Sequence, residues 1–156
     1  MIFNKNIKNN DQQKPNFNGV NLEEVTEIKF LGAIIKSDLL ADAHANKRIE
    51  AATHKMNCFK ITGFKSKYAS SQLKINQYKS YIRSTLLYDS ENQIHSKKQL
   101  DDLQSCESTI IKRAYGIPAK LTKSTDLNRA NKLNNISSEI FKNKVNFLRR
   151  LIIPRK

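Results

Sequence analysis

Residues 72–118, QLKINQYKSYIRSTLLYDSENQIHSKKQLDDLQSCESTIIKRAYGIP, decide the fold, because they divide into two amphipathic helices with readable ends. In the first half Leu73, Tyr78, Ile82 and Leu86 recur at roughly helical spacing. In the second, Leu100, Leu103, Ile110 and Ala114 follow one another at three, seven and four positions, so each set forms one apolar stripe. Ser96 precedes Lys97, Lys98 and Gln99. Its hydroxyl can cap the second helix while the Gln99 side chain reaches back to the Ser96 amide. Gly116 can take the left-handed conformation that closes a helix, and Pro118 cannot continue one.

Working upstream, Ile49, Ala52, Met56 and Phe59 recur at three, four and three positions, which predicts a further helix over residues 42–61 with Lys47, Arg48, Lys55 and Lys60 off its stripe. It should stop near Gly63. Lys65-Ser66-Lys67-Tyr68 then reads as a basic loop, with Ser70 or Ser71 capping the next helix. Before residue 42, Phe17, Val20 and Leu22 surround the turn-forming Asn18-Gly19, and residues 28–35 form an apolar run with β-branched residues. Gly32 inside that run signals a bulge or a close approach of another backbone. Residues 1–16 are rich in Asn, Lys and Gln and read as a mobile leader.

Downstream, Leu127, Ala130 and Leu133 mark a short helix that Asn134-Asn135 interrupts. The last helix is expected to start at Ser137, with Ile136 and Phe141 spaced as a hydrophobic staple. Ile140, Leu148 and Leu151 should face inward and Lys142, Lys144, Arg149 and Arg150 outward, with Pro154 as the stop. The expected fold is mainly α: a leader at 1–16, a small β-hairpin or ribbon at 17–36, and a helical domain of four or five helices at 37–156.

A chain of 156 residues has room for one domain with a real core. That core is lean, with 38% hydrophobic residues, 8% aromatics and no Trp. Charge carries more information. The formal net charge is +14, and it is regional: residues 1–45 hold five Lys against six acids, whereas residues 46–156 hold 23 Lys or Arg against eight. A positive field on the helical part favours contact with phosphate backbones. An anionic membrane surface is the weaker reading, since no helix pairs a wide aromatic face with a clustered basic one.

Catalytic patterns are missing from the sequence. Asp101-Asp102 lies early in a helix, after Lys97 and Lys98, where carboxylates complement the helix dipole. Glu23-Glu24 has no His or further acid nearby, and four glycines leave no place for a phosphate-cradling loop. Cys58 and Cys106 are too few and too far apart for a disulfide framework or a metal pair, and read as small core residues. His44, His54 and His95 show no ligand spacing with them. No stretch approaches the roughly 20 apolar residues of a membrane span, and the first ten residues lack the apolar block of a signal peptide. The expectation is an intracellular protein, nuclear or cytoplasmic, with no self-contained active site, metal, cofactor or small-molecule substrate.

Four blocks, in order, resemble the C-terminal part of reverse transcriptases from non-LTR (LINE-type) retrotransposons. Ile28-Lys29-Phe30-Leu31-Gly32 is similar to the family's K-[YF]-L-G block, and Arg48-Ile49 with Ala51 and Ala52 resembles its RI-x-x-A helix. Tyr78-Lys79-Ser80-Tyr81-Ile82-Arg83-Ser84 and Leu86-Leu87-Tyr88-Asp89-Ser90-Glu91 resemble the YKSYIRP…LLYGSE block. Ile110-Ile111-Lys112-Arg113-Ala114-Tyr115-Gly116-Ile117 resembles the basic block that ends in YGI. The likeness covers roughly residues 17–152. It departs at Asp89, where the family usually has Gly, and at Gln93, where it usually has Trp.

The resemblance implies a thumb and connecting region that grips the backbone of a template–primer duplex, RNA–DNA or DNA, behind an active site. The fingers and palm, with their metal-binding aspartates, would lie before this chain, so the expectation is a truncated fragment that does not polymerise. Lys47, Arg48, Lys55, Arg83, Lys112 and Arg113 are the expected phosphate contacts, and Phe30, Leu31 and Gly32 the primer-side ribbon. Tyr78, Tyr81 and Tyr88 could stack on sugar or base, although an apolar stripe also suits them to the core. The alternative is an independent basic helical module that binds nucleic acid or a protein.

Overall fold

The computed structural model describes residues 16–21, 25–37 and 42–152. Except for Asn16, the 1–16 leader lies outside them. Two antiparallel hairpins open the chain, β1 (Asn16–Phe17) with β2 (Val20–Asn21) and β3 (Glu27–Phe30) with β4 (Ala33–Lys36). Each turns through two residues with positive φ, Asn18 and Gly19 at 51° and 81°, then Leu31 and Gly32 at 47° and 86°. Such turns match the right-handed twist of the strands they join. Residues 28–35 are therefore two strands folded at Leu31-Gly32, and Gly32 is a turn residue, neither bulge nor mid-strand.

The helical part begins with α1 (Asp42–Cys58), which stops three residues short of the sequence expectation. Beyond it the chain turns through Gly63, at φ 83°, and drives Phe64 fully into the core. Cys58 is exposed and so is not the core residue expected, whereas Cys106 is half-buried and packs against the core. Ser70 caps α2 (Ser71–Gln77) by accepting from the Leu73 amide at 3.2 Å. A π-helical turn, Tyr78–Arg83, and α3 (Ser84–Leu86) continue the rod. The hydroxyls of Ser84 and Thr85 donate to the carbonyls of Ser80 and Tyr81, satisfying acceptors where the ordinary ladder is broken.

The buried stripe of this rod is Ile75, Tyr78, Ile82 and Leu86, whereas Leu73 is exposed. Five positions before Tyr78, Leu73 lies about 140° around the helix, and Ile75, three positions before, takes its place. On α4 (Lys97–Tyr115) the expected Leu103, Ile110 and Ala114 are buried, joined by Ile111, with Leu100 partly covered. Both halves of the Ser96–Gln99 capping box form, at 3.3 and 2.7 Å. Gly116 closes the helix at φ 69°.

α5 (Ser124–Ala130) places Leu127 in the core, with Leu133 just beyond it, and leaves Ala130 exposed. α6 (Ile136–Ile152) departs from the sequence reading. Its cap is Asn135, whose Oδ1 accepts from the Ser137 amide at 3.3 Å, so Ile136 is already helical and fully buried. The expected staple does not form, because Phe141 is exposed, and Leu148 and Leu151 are exposed too. Only the first turns of α6 dock. Phe141, Val145, Leu148 and Ile152 form an apolar stripe in solvent beside Lys142, Arg149 and Arg150. This stripe is aliphatic apart from Phe141, so it is not the wide aromatic face that a membrane surface would favour. Among the described residues no helix is long and apolar enough to cross a membrane.

The core lies between α1, the α2–α3 rod and α4, with α5 and α6 closing over α4. At its centre Glu107 is fully buried. Its Oε1 accepts from the Tyr78 hydroxyl at 2.8 Å and lies 3.1 Å from Arg83 Nε, and its Oε2 accepts from Gln104 Nε2 at 3.0 Å. Gln104 Oε1 in turn accepts from the Ile136 amide, fixing the start of α6. Buried Lys74 donates to the Ala114 carbonyl at 2.8 Å, a cation at the C-terminal end of α4.

Candidate nucleic-acid interface

The ribbon is tied to the helical body by a short polar network. Arg48, one α-helical turn beyond His44, donates from Nη2 to the Gly32 carbonyl at 3.1 Å, and its guanidinium lies 5.1 Å from the centre of the Tyr88 ring. The Tyr88 hydroxyl donates to the Leu31 carbonyl at 2.8 Å. His44, 1% exposed, accepts from the Ile34 amide through Nδ1 at 3.4 Å. Its Nε2 therefore carries the proton and donates to the Tyr88 carbonyl at 3.0 Å. In the sequence His44 reads only as a candidate metal ligand. Its place after the ribbon, at the start of an amphipathic helix, was the available signal for a packing role.

Phe30 and Leu31 are exposed at the ribbon tip, beside a 440 Å³ groove lined by Ala33, Ile35, Tyr88 and Ile94. The loop after Tyr88 is organised by Asp89, which has a φ of 61°. Its two carboxylate oxygens accept from Asn92 Nδ2 at 2.6 Å and Gln93 Nε2 at 3.0 Å. The left-handed conformation here is one that Gly adopts without strain and that Asp tolerates.

The six cations expected to meet phosphate divide into two groups. Arg83 is internal: its side chain is 12% exposed, and it bridges Glu107 and the Asn134 carbonyl. Arg48 is committed to the ribbon. Lys112 donates to the Ala119 carbonyl, and Lys55, exposed on the last turn of α1, lies 3.5 Å from the Tyr81 carbonyl. Lys47 is half-buried on α1 and Arg113 is exposed on α4. Arg113 acts on a cation outside the six, Lys65, which also feels Lys60. Partial burial, then the fields of Lys60 and Arg113, push the Lys65 ammonium below its ordinary value. Among the described residues none of these three forms an ion pair.

The tyrosines also separate. Tyr78 is buried, Tyr81 packs on Phe59 with ring centres 5.2 Å apart, and Tyr88 holds the ribbon. Tyr68 is 86% exposed. It was legible only as part of a basic loop, since it belongs to no helical stripe.

Between α1 and α4 runs a 420 Å³ groove lined by Ile49, Thr53, Ser105, Cys106 and Arg113. Burial raises the Cys106 thiol above its ordinary value, the opposite of an activated nucleophile. Among the described residues no three His, Cys, Asp or Glu side chains are grouped to hold a metal ion. No protein-family model, curated protein or solved structure matches the chain.

Proposed function

We propose that this chain is a thumb-and-connection module of the non-LTR reverse-transcriptase type, which grips a template–primer duplex by its phosphate backbone and performs no catalysis itself. The observation that carries this reading is the regional charge: 23 Lys or Arg against eight acids over residues 46–156. Lys60 and Lys65 share the loop after α1, the fields of Lys60 and Arg113 both act on Lys65, and among the described residues none of the three has a carboxylate partner. Like charges held together repel, and a phosphate backbone relieves the repulsion while releasing condensed counterions.

Two further features support the reading. The Leu31-Gly32 turn and the Tyr88 segment, two of the blocks that carry the resemblance, bond directly to each other. Asp89, at a position where the resembled family usually has Gly, adopts a conformation suited to Gly, and it bonds Gln93, the other departing position. The pair reads as a local replacement of one turn chemistry by another.

The test is binding of the purified chain to an RNA–DNA duplex, with Lys60→Gln/Lys65→Gln and Arg113→Gln variants alongside. The expected result is weaker binding in both variants with unchanged circular dichroism. Equal binding by parent and variants would remove the Lys60–Lys65–Arg113 surface from the account.

A further inference from the structure

Resting on the nucleic-acid reading above, we propose that loop 59–70 is a stacking site for an unpaired base, so that this surface takes single-stranded nucleic acid with a base on Tyr68 and neighbouring phosphates on Lys60, Lys65 and Arg113.

The loop is built to hold that tyrosine outward. Phe64, fully buried, anchors its middle, and a run of tight turns fixes the rest. Phe64 donates its amide to the Phe59 carbonyl at 3.2 Å, Ser66 to Gly63 at 2.8 Å and Ala69 to Ser66 at 3.3 Å. The Ser66 hydroxyl accepts from the Tyr68 amide at 3.2 Å, and Ser70 then starts α2. A tyrosine presented at 86% exposure from such a loop buries little of its ring on folding. Lys67 Nζ lies over one face of the ring, 5.2 Å from its centre, and the opposite face of this 86% exposed side chain is the one a base would take. An aromatic platform with cations around it is the arrangement that holds single strands, where stacking takes the base and the cations take the backbone. A duplex offers no open base face to such a side chain, because its bases are already stacked on one another.

The probes are a labelled oligothymidylate of about 12 nucleotides and a duplex of equal length, bound to the full chain and to Tyr68→Ala, Tyr68→Phe and Lys60→Gln/Lys65→Gln variants. Tyr68→Ala should lose roughly tenfold or more in affinity for the single strand, with duplex binding unchanged, given the usual strength of base–aromatic stacking. Tyr68→Phe should retain the parent's affinity, and the lysine variant should weaken on both probes. Single-strand binding by Tyr68→Ala equal to the parent's, with duplex binding intact, overturns this inference alone. A folded chain that binds neither probe at low salt overturns it together with the reading on which it rests.

Discussion

Arg83 Nε lies 3.1 Å from Glu107 Oε1 in the interior of the helical body, with the carboxylate fully buried and the guanidinium 12% exposed. A cation that reads in sequence as a candidate phosphate contact is thus committed to a buried carboxylate, which also accepts from Tyr78 and Gln104. Removing one partner of such a pair leaves an uncompensated buried charge. Arg83→Ala should therefore cost about 3–5 kcal/mol of stability, a large part of a small domain's margin. Arg113→Ala, at an exposed site, should stay within about 0.5 kcal/mol and weaken nucleic-acid binding instead. Chemical denaturation of the two variants separates these roles.

Burial of Tyr78 beside the same carboxylate sets a pH limit. Burial first, and Glu107 second, hold the Tyr78 phenol well above its ordinary value of 10.0. The folded chain keeps this proton where the unfolded chain loses it, so the contribution is full below about pH 10 and declines as pH rises beyond it. His95 acts at the other end. Its value is lowered mainly by burial and then by Lys144, so its contribution is full above about pH 6.5 and is lost as pH falls below that. Melting temperature should plateau between these limits, and Tyr78→Phe should flatten the alkaline decline. An undiminished decline in that variant would place its cause elsewhere.

The α6 register makes a third prediction. Val145 and Leu148 are 45% and 54% exposed, while Ile140 is 4% exposed. Val145→Asn with Leu148→Asn should leave stability within about 1 kcal/mol, as surface changes do. Ile140→Ala should cost about 2–5 kcal/mol. Comparable losses in both would mean that the C-terminal half of α6 packs on the core.

At the ribbon, a Cβ added to Gly32 would meet Tyr88 at an ordinary 3.6 Å, so space is not the constraint. Its φ of 86° is. Gly32→Ala should cost about 1–2 kcal/mol through the backbone. Tyr88→Phe should cost about 0.5–1.5 kcal/mol by losing the bond to Leu31. Both should speed hydrogen exchange at the Ile34 amide, whose acceptor is His44.

Helix ends were legible wherever a side chain or a glycine defines them locally. Ser96 with Gln99, Ser70 and Gly116 all act where the sequence places them. Periodicity located the α4 stripe, but it could not tell Leu73 from Ile75, because the rod's face is set by which residue meets α4 and not by apolarity alone. It also could not tell how far along α6 the core extends: Leu148 and Leu151 have the right spacing and no partner. Charge was legible as a regional total, while its use was not, since an arginine's sequence neighbours do not show that a glutamate 24 positions away will bury it. The Lys60–Lys65–Arg113 group joins a loop to a helix about 50 residues later, and only the fold brings the two together.

The most direct measurement is the affinity of the full chain for an RNA–DNA duplex across a salt series, with circular dichroism on the same samples. The account predicts a helical protein whose affinity scarcely depends on sequence and falls steeply with salt, each phosphate contact adding about 0.7–0.9 to the log–log slope. A folded, helical chain that does not bind the duplex at low salt would contradict it.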